Sequence, residues 1–325
     1  MKTFETINIL CATDENYAPY CGIMLTSLFY SNRDCHFNVY VFIDGDFSET
    51  NKKKYYRLGQ KYKNTINLMK IDNSMIEKFP INPGHITRPT YYRFLVAELL
   101  PEDIHKVLYL DCDIAVVGDI KPLWNVDLID KAIAGARGYG NWENEPSCER
   151  LGIDFSVGYF NAGVLVINLD YWRCNHVAES LIDFVVSNYD NKSCFLLMDQ
   201  DILNSVLQNK KVFFPDRYNF RVCVFLKKFW MNYSGNQRNN YLEECGKVSV
   251  VHYASREKPW NYRSYGGPFF SEWEKYRRKS MWKNSRDIKP LKKHVKYMIK
   301  KYLLPKLFRS LHSEWVVLAE NKMYY

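Results

Sequence analysis

The chain has 325 residues, 47% of them hydrophobic, which suits one large α/β domain with an appendage or two small domains. No stretch approaches the roughly 20 apolar residues of a membrane-spanning helix. Nine scattered cysteines form neither a C-x-x-C pair nor a zinc framework, the pattern of reduced thiols in a cytosolic protein. The net charge of +9 sits at one end: residues 283–325 hold 11 Lys/Arg against 3 Asp/Glu, while residues 1–282 hold 34 against 33. That asymmetry argues against a nucleic-acid-binding core and gives the C-terminus a separate task.

The N-terminus has no signal-peptide pattern and runs directly into a β-type segment, residues 7–13. Residues 20–30 read as a helix, 37–43 as a second strand, 49–62 as a Lys-rich helix and 66–71 as a third strand. Residues 91–100 show a helical apolar face, and residues 107–110 form a further strand ending at Asp111. Strands alternating with helices predict βαβ crossovers and a mainly parallel, Rossmann-like sheet flanked by helices, with ligands beyond the carboxyl ends of its strands. Further on, Phe160-Asn161-Ala162-Gly163 precedes an apolar strand over residues 164–169, and residues 176–189 read as a helix. Met198-Asp199-Gln200-Asp201 opens another helix that continues through Val206, and residues 248–253 form a strand carrying His252. A polar loop from Ser255 to Trp260 follows.

In the tail, Leu291, Val295, Met298 and Tyr302 share one face of a helix expected between Pro290 and Pro305, flanked by Lys292, Lys293, Lys296 and Lys300. A basic amphipathic helix suits an anionic membrane surface, or else docks on the body with its lysines solvated.

The run from Lys106 to Val117 carries the strongest chemical signal. An apolar segment ends in Asp111-Cys112-Asp113, and apolar residues then resume. Unpaired carboxylates in such a setting are costly, so two of them point to a cation. Mg²⁺ and Mn²⁺ take oxygen ligands and bridge protein carboxylates to phosphates. No Gly-rich phosphate loop is present, which leaves phosphate to be held by a metal and side chains.

Taken with Ala12-Thr13-Asp14-Glu15-Asn16-Tyr17, Arg93, Asp199-Gln200-Asp201 and His252-Tyr253 followed by Lys258-Pro259-Trp260, these motifs resemble the family 8 retaining glycosyltransferases. That family includes bacterial lipopolysaccharide galactosyl- and glucosyltransferases and glycogenin. The resemblance covers residues 5 to about 275 and implies a GT-A type nucleotide-sugar-binding fold: a catalytic domain over residues 1–282 and a basic, aromatic membrane-association segment over residues 283–325. It implies Mn²⁺, with Mg²⁺ as a substitute, held by Asp111, Asp113 and His252. It also implies a UDP-hexose site drawn from Ala12, Thr13, Asp14, Asn16, Tyr17, Arg93, Cys112, Asn161, Ser255 and Lys258. Tyr17 would stack on uracil and Lys258 would grip the diphosphate, while His85 matches a position on the acceptor side.

Asp199 and Gln200 match the positions nearest the anomeric carbon. Double displacement with retention normally uses a carboxylate nucleophile. Glutamine is a poor one, so a front-face reaction is expected, with the Gln200 carbonyl dipole facing the cationic sugar and Asp199 holding its hydroxyls. The acceptor would be a glycan or glycolipid, reached by a protein attached peripherally to the cytoplasmic face of the cell membrane. A self-glucosylating primer enzyme and a catalytically silent nucleotide-sugar-binding scaffold are the alternatives. Residues 227–247 have no assigned counterpart; they and residues 138–149 are expected to contribute to acceptor recognition. Cys112, between the two aspartates, is unusual and is expected to point away from the metal.

Overall fold

Near-continuous apolar runs form the first strands because both faces of the sheet are covered. In the computed structural model these are β1 (Thr6–Thr13), β2 (His36–Ile43) and β3 (Thr65–Lys70), separated by α1 (Ala18–Ser31) and α2 (Glu49–Tyr62). The structure describes residues 5–72, 74, 88–138, 140–188, 197, 199–226, 230, 231, 233–254, 258–261 and 268–285. His85, Ser255 and the stretch expected to be helical between Pro290 and Pro305 lie outside them.

The helix expected at residues 91–100 is instead a 3-10 segment, Arg88–Leu95, that runs into one α-helical turn, α3 (Val96–Leu99). Tyr91, Tyr92, Arg93, Phe94, Leu95 and Val96 are all buried, so this stretch is covered on every side rather than along one stripe. An amphipathic α-helix exposes one face; residues 91–96 have none to expose. There follow β4 (Lys106–Leu110), β5 (Ile114–Val116), α4 (Lys121–Trp124), β6 (Ile133–Arg137), α5 (Gly140–Leu151) and β7 (Phe160–Asn168). The chain continues through α6 (Leu169–Cys174), α7 (Val177–Ser187), α8 (Asp199–Val206), β8 (Lys211–Phe214), β9 (Phe220–Arg221), α9 (Gly235–Cys245), β10 (Val250–His252) and α10 (Phe270–Lys279).

The main sheet has the order β3-β2-β1-β4-β7-β6-β8. Every pairing is parallel except those of β7, which runs antiparallel to β4 and β6. Strand β7 begins at Phe160, four residues earlier than expected, so Asn161-Ala162-Gly163 is strand rather than lead-in. Because β7 is reversed, that starting end lies at the carboxyl edge of β1 and β4, the edge where ligands bind in such sheets.

A second sheet, β5-β10-β9, pairs His252 with Ile114 and so sets His252 beside Asp113. One apolar core fills the space between α1, α2, α10 and the sheets, and another lies under the 3-10 segment and α6–α8. Trp282 is 2% exposed, and its indole N–H donates to Asn51 Oδ1 at 2.8 Å, so the chain stays packed on α2 to that point. Among the described residues no helix is long and apolar enough to cross a membrane.

Candidate active site

Asp111-Cys112-Asp113 turns the chain from β4 into β5, and two backbone bonds hold the turn. Asp111 N–H donates to the Gly163 carbonyl (2.9 Å) and Tyr253 N–H to the Asp113 carbonyl (2.9 Å). Asp111 Oδ1 accepts from Arg93 Nη2 at 3.0 Å and from the Tyr109 hydroxyl at 2.8 Å, which leaves Oδ2 facing His252 Nε2 at 3.9 Å. Asp113 Oδ1 lies 3.2 Å from the same Nε2, and its Oδ2 accepts from Lys258 Nζ. Burial opposes ionisation of Asp113, but Lys258 and His252 outweigh it and hold the carboxyl well below the usual carboxylate range.

One atom from each of Asp111, Asp113 and His252 falls within 4.8 Å of the others, the three residues expected to ligate a metal. The donor set fits a divalent cation such as Mn²⁺. Space fits as well: a Cβ on Gly163 would sit 2.2 Å from His252 Cε1, so only glycine lets the imidazole lie here. Gly163 therefore serves close packing against His252.

Arg93 is 5% exposed and ties this cluster to the start of α8. Its Nη1 donates to the Ala162 carbonyl at 2.7 Å and lies 3.1 Å from Asp199 Oδ2, and its guanidinium stacks over the Tyr109 ring at 4.2 Å. Burial pushes the Asp199 carboxyl up to about 6 against the pull of Arg93. Gln200 Oε1 accepts from Asn161 Nδ2 (2.8 Å) and from Ala162 N–H (2.9 Å), and its Nε2 donates to the Tyr159 hydroxyl (2.9 Å). Both lone pairs of that carbonyl are thus engaged by protein donors. The dipole expected to face a sugar is directed into β7 instead.

At the end of β1, the Thr13 hydroxyl donates to the Asp14 carbonyl and Asp14 Oδ1 accepts from Tyr17 N–H at 2.7 Å, a capped turn that opens α1. Ala12 and Asn16 flank this turn. Tyr17 is 39% exposed and meets Trp260 edge-on at 5.9 Å, while Trp260 stacks on Tyr20 at 3.7 Å and anchors the Lys258 segment over α1. Cys112 Sγ donates to the Ala12 carbonyl at 3.1 Å, so its side chain does point away from the carboxylates and pins the Asp111–Asp113 turn to β1. Any contact of Cys112 with a nucleotide is left to its backbone.

The structure thus brings together Ala12–Tyr17, Arg93, Asp111–Asp113, Asn161, Asp199, Gln200, His252 and Lys258. Sequence reasoning missed Tyr109, Tyr159 and Asn219. Tyr109 carries a legible signal, since positions i and i+2 of an extended chain share a face. Asn219 carries none, although its Oδ1 lies 2.8 Å from His252 Nδ1.

Comparison with known proteins places this arrangement. A family model described as glycosyl transferase family 8 matches residues 8–264. General stress protein A of Bacillus subtilis (strain 168) is 30% identical over 264 residues, covering 80% of this chain and 90% of that protein. Lipopolysaccharide glucosyltransferase WaaO of Escherichia coli (strain K12) is 28% identical over 313 residues, covering 94% and 88%. The crystal structure of galactosyltransferase LgtC in complex with donor and acceptor sugar analogs superposes with a TM-score of 0.70 at 26% identity, covering 89% of this chain and all of that one. On the match of its own residues to the family, the chain belongs to glycosyl transferase family 8.

Proposed function

We propose that this protein is a metal-dependent retaining hexosyltransferase that moves glucose or galactose from a UDP-sugar to a lipopolysaccharide or another cell-surface glycan. The observation that carries the reading is the convergence of Asp111, Asp113 and His252 at the carboxyl edge of the sheet, beside the Arg93–Asp199 pair. The glucosyltransferase and galactosyltransferase relatives support the hexose donor and the glycan acceptor.

Asp111, Asp113 and His252 would hold a divalent cation, Mn²⁺ or in its place Mg²⁺, which would neutralise charge on a departing diphosphate. Lys258 adds a second positive charge at the same place. Tyr17 offers a partly exposed ring for uracil, and Asp14 keeps one carboxylate oxygen beyond its cap for the base or ribose. Asp199, held by Arg93, faces the sugar hydroxyls. The carbonyl of Gln200 is occupied and Asp199 is paired, which supports front-face transfer over attack by a protein nucleophile. The bond from the anomeric carbon to the diphosphate breaks, the acceptor oxygen bonds on the same face, and the acceptor proton passes to the departing phosphate. A panel of UDP-hexoses with Mn²⁺, followed by proton NMR of the product, tests this. An α-linked product from an α-linked donor is expected; an inverted linkage, or no UDP release from any UDP-hexose, overturns it.

The same reading assigns residues 283–325 to attachment at the cytoplasmic face of an anionic membrane. The flank from which the chain leaves the body supports it. Residues 49–63 carry six Lys/Arg against one Glu, and residues 270–285 carry five against two, with Arg277 buried in a pair with Glu274 and the other four at the surface. Lys61 Nζ donates to the Lys279 carbonyl at 3.1 Å, so α2 and α10 form one basic face. Each lysine near such a surface contributes roughly 1 kcal/mol. Truncation after Ser285 is expected to abolish co-sedimentation with phosphatidylglycerol vesicles; undiminished sedimentation refutes the attachment.

A further inference from the structure

Five buried or half-buried polar side chains form one unbroken hydrogen-bonded line from α8 to His252. Asp201, whose side chain is fully buried, takes a bidentate pair from Arg150 and accepts at Oδ1 from the Tyr159 hydroxyl at 2.6 Å. Tyr159 accepts in turn from Gln200 Nε2, Gln200 Oε1 from Asn161 Nδ2, and Asn161 Oδ1 from Asn219 Nδ2 at 2.9 Å. Asn219, itself fully buried, presents Oδ1 to His252 Nδ1 at 2.8 Å.

The direction of every bond is fixed by groups that can only donate or only accept. An ionised carboxylate only accepts, so Tyr159 donates to Asp201 and must accept from an N–H of Gln200. Backbone N–H groups only donate: Ala162 N–H at 2.9 Å marks the oxygen of Gln200, and Gly163 N–H at 3.1 Å marks the oxygen of Asn161. Asn219 must then turn its amide nitrogen to Asn161 and its oxygen to His252. An oxygen facing Nδ1 requires Nδ1 to carry a proton, so in the neutral ring, the form that can ligate a cation, Nε2 is the bare nitrogen turned toward Asp111 and Asp113.

We infer that Asn219 is a positioning residue that sets the tautomer of His252, and that Gln200 acts on the same histidine through Asn161. The Nδ1–H form exposes a lone pair at the atom that ligates a cation, and partners of this kind typically carry 10–100-fold in metal affinity. Without Asn219 the histidine is free to carry its proton on Nε2, where Asp113 Oδ1 at 3.2 Å accepts it and the ligand atom is lost. Gln200 substitutions thus act on sugar transfer partly through the metal ligand.

This inference rests on reading Asp111, Asp113 and His252 as a cation site, and the test separates the two. Histidine-selective ¹⁵N spectra, with and without Mg²⁺, report which nitrogen of each of the seven histidines is protonated. His252 is expected to show a protonated Nδ1 in the wild type under both conditions. Asn219→Leu is expected to move the proton to Nε2 and to weaken Mn²⁺ binding, read by electron paramagnetic resonance, 10–100-fold. Asn219→Asp, which still accepts from Nδ1–H, is expected to restore the tautomer. A wild-type His252 with bare Nδ1 overturns the inference whether or not the variants fold. So does an unchanged tautomer in folded Asn219→Leu. Absence of Mn²⁺ binding in a wild type with protonated Nδ1 overturns the cation reading and leaves the tautomer assignment intact.

Discussion

Replacing Gly163 by alanine tests whether close packing in β7 sets the geometry of the proposed cation site. The added Cβ would lie 2.2 Å from His252 Cε1, 2.7 Å from its Nδ1 and 3.0 Å from Asp111 Oδ2. Carbon atoms in ordinary contact stand about 3.5–4.0 Å apart, so the ring must retreat by more than about 1 Å. Asn219 grips it from the side and β10 holds its backbone between β5 and β9, so the retreat is not free. Overpacking of this sort costs about 1–3 kcal/mol of stability, and the displacement far exceeds the roughly 0.2 Å tolerance of a ligand distance. The variant is expected to fold, to melt a few degrees lower, and to bind Mn²⁺ at least about tenfold more weakly, a loss within the range seen when the partners of metal ligands are altered. Mn²⁺ titration followed by electron paramagnetic resonance, beside a thermal melt, measures both. A folded Gly163→Ala protein with wild-type Mn²⁺ affinity would refute the reasoning.

Tyr109→Phe removes one hydrogen bond to Asp111 Oδ1 while keeping the ring under Arg93; a threefold to tenfold loss of Mn²⁺ affinity is expected, roughly the 0.5–1.5 kcal/mol of one bond, and equal affinity contradicts it. Asp199 has its folded pKa raised to about 6, so between about pH 4 and pH 6 the native state holds a proton the unfolded chain has lost. Stability from this group is therefore greatest below pH 4 and falls by about 3 kcal/mol as pH rises through 6. Denaturant titrations across that window should show a slope that Asp199→Asn abolishes; an identical slope in the variant rejects the assignment. Lys211, buried against Phe160 with Asn204 Oδ1 at 3.2 Å as its hydrogen-bond partner among the described residues, has its ammonium lowered to about 8 by burial. The native state sheds this proton before the unfolded chain does, so stability should rise from about pH 8 to pH 10.5. Lys211→Met should flatten that rise and stabilise the protein at pH 7, whereas an unaltered pH profile would show that the lysine is not the source.

What was legible in the sequence follows from how local each signal is. β2 and α2 begin and end within a residue of expectation, since each is a single apolar or amphipathic run bounded by turn residues. The two carboxylates of the proposed cation site are legible because carboxylates beside apolar strands are rare, whereas His252 enters through the family resemblance alone. β5 and β9, three and two residues long, are too short to show a period, and with them went the second sheet that carries His252 to Asp113. The reversal of β7 is a tertiary fact without local trace, so Asn161 and Gly163 look in the sequence like lead-in to a strand. Asn219 finds its partners 33 and 58 residues away, and an asparagine after a tyrosine is common in any turn, so nothing local marked it.

The central claim, that Asp111, Asp113 and His252 hold the cation against a departing UDP, is tested most directly by one comparison. UDP release from UDP-glucose and UDP-galactose is measured with Mn²⁺, with excess chelator, and with Asp113→Asn in Mn²⁺. The account predicts release from at least one donor, restored by Mn²⁺ after chelation and reduced at least a hundredfold in the folded variant. Release that continues in chelator, or that survives Asp113→Asn, would contradict it.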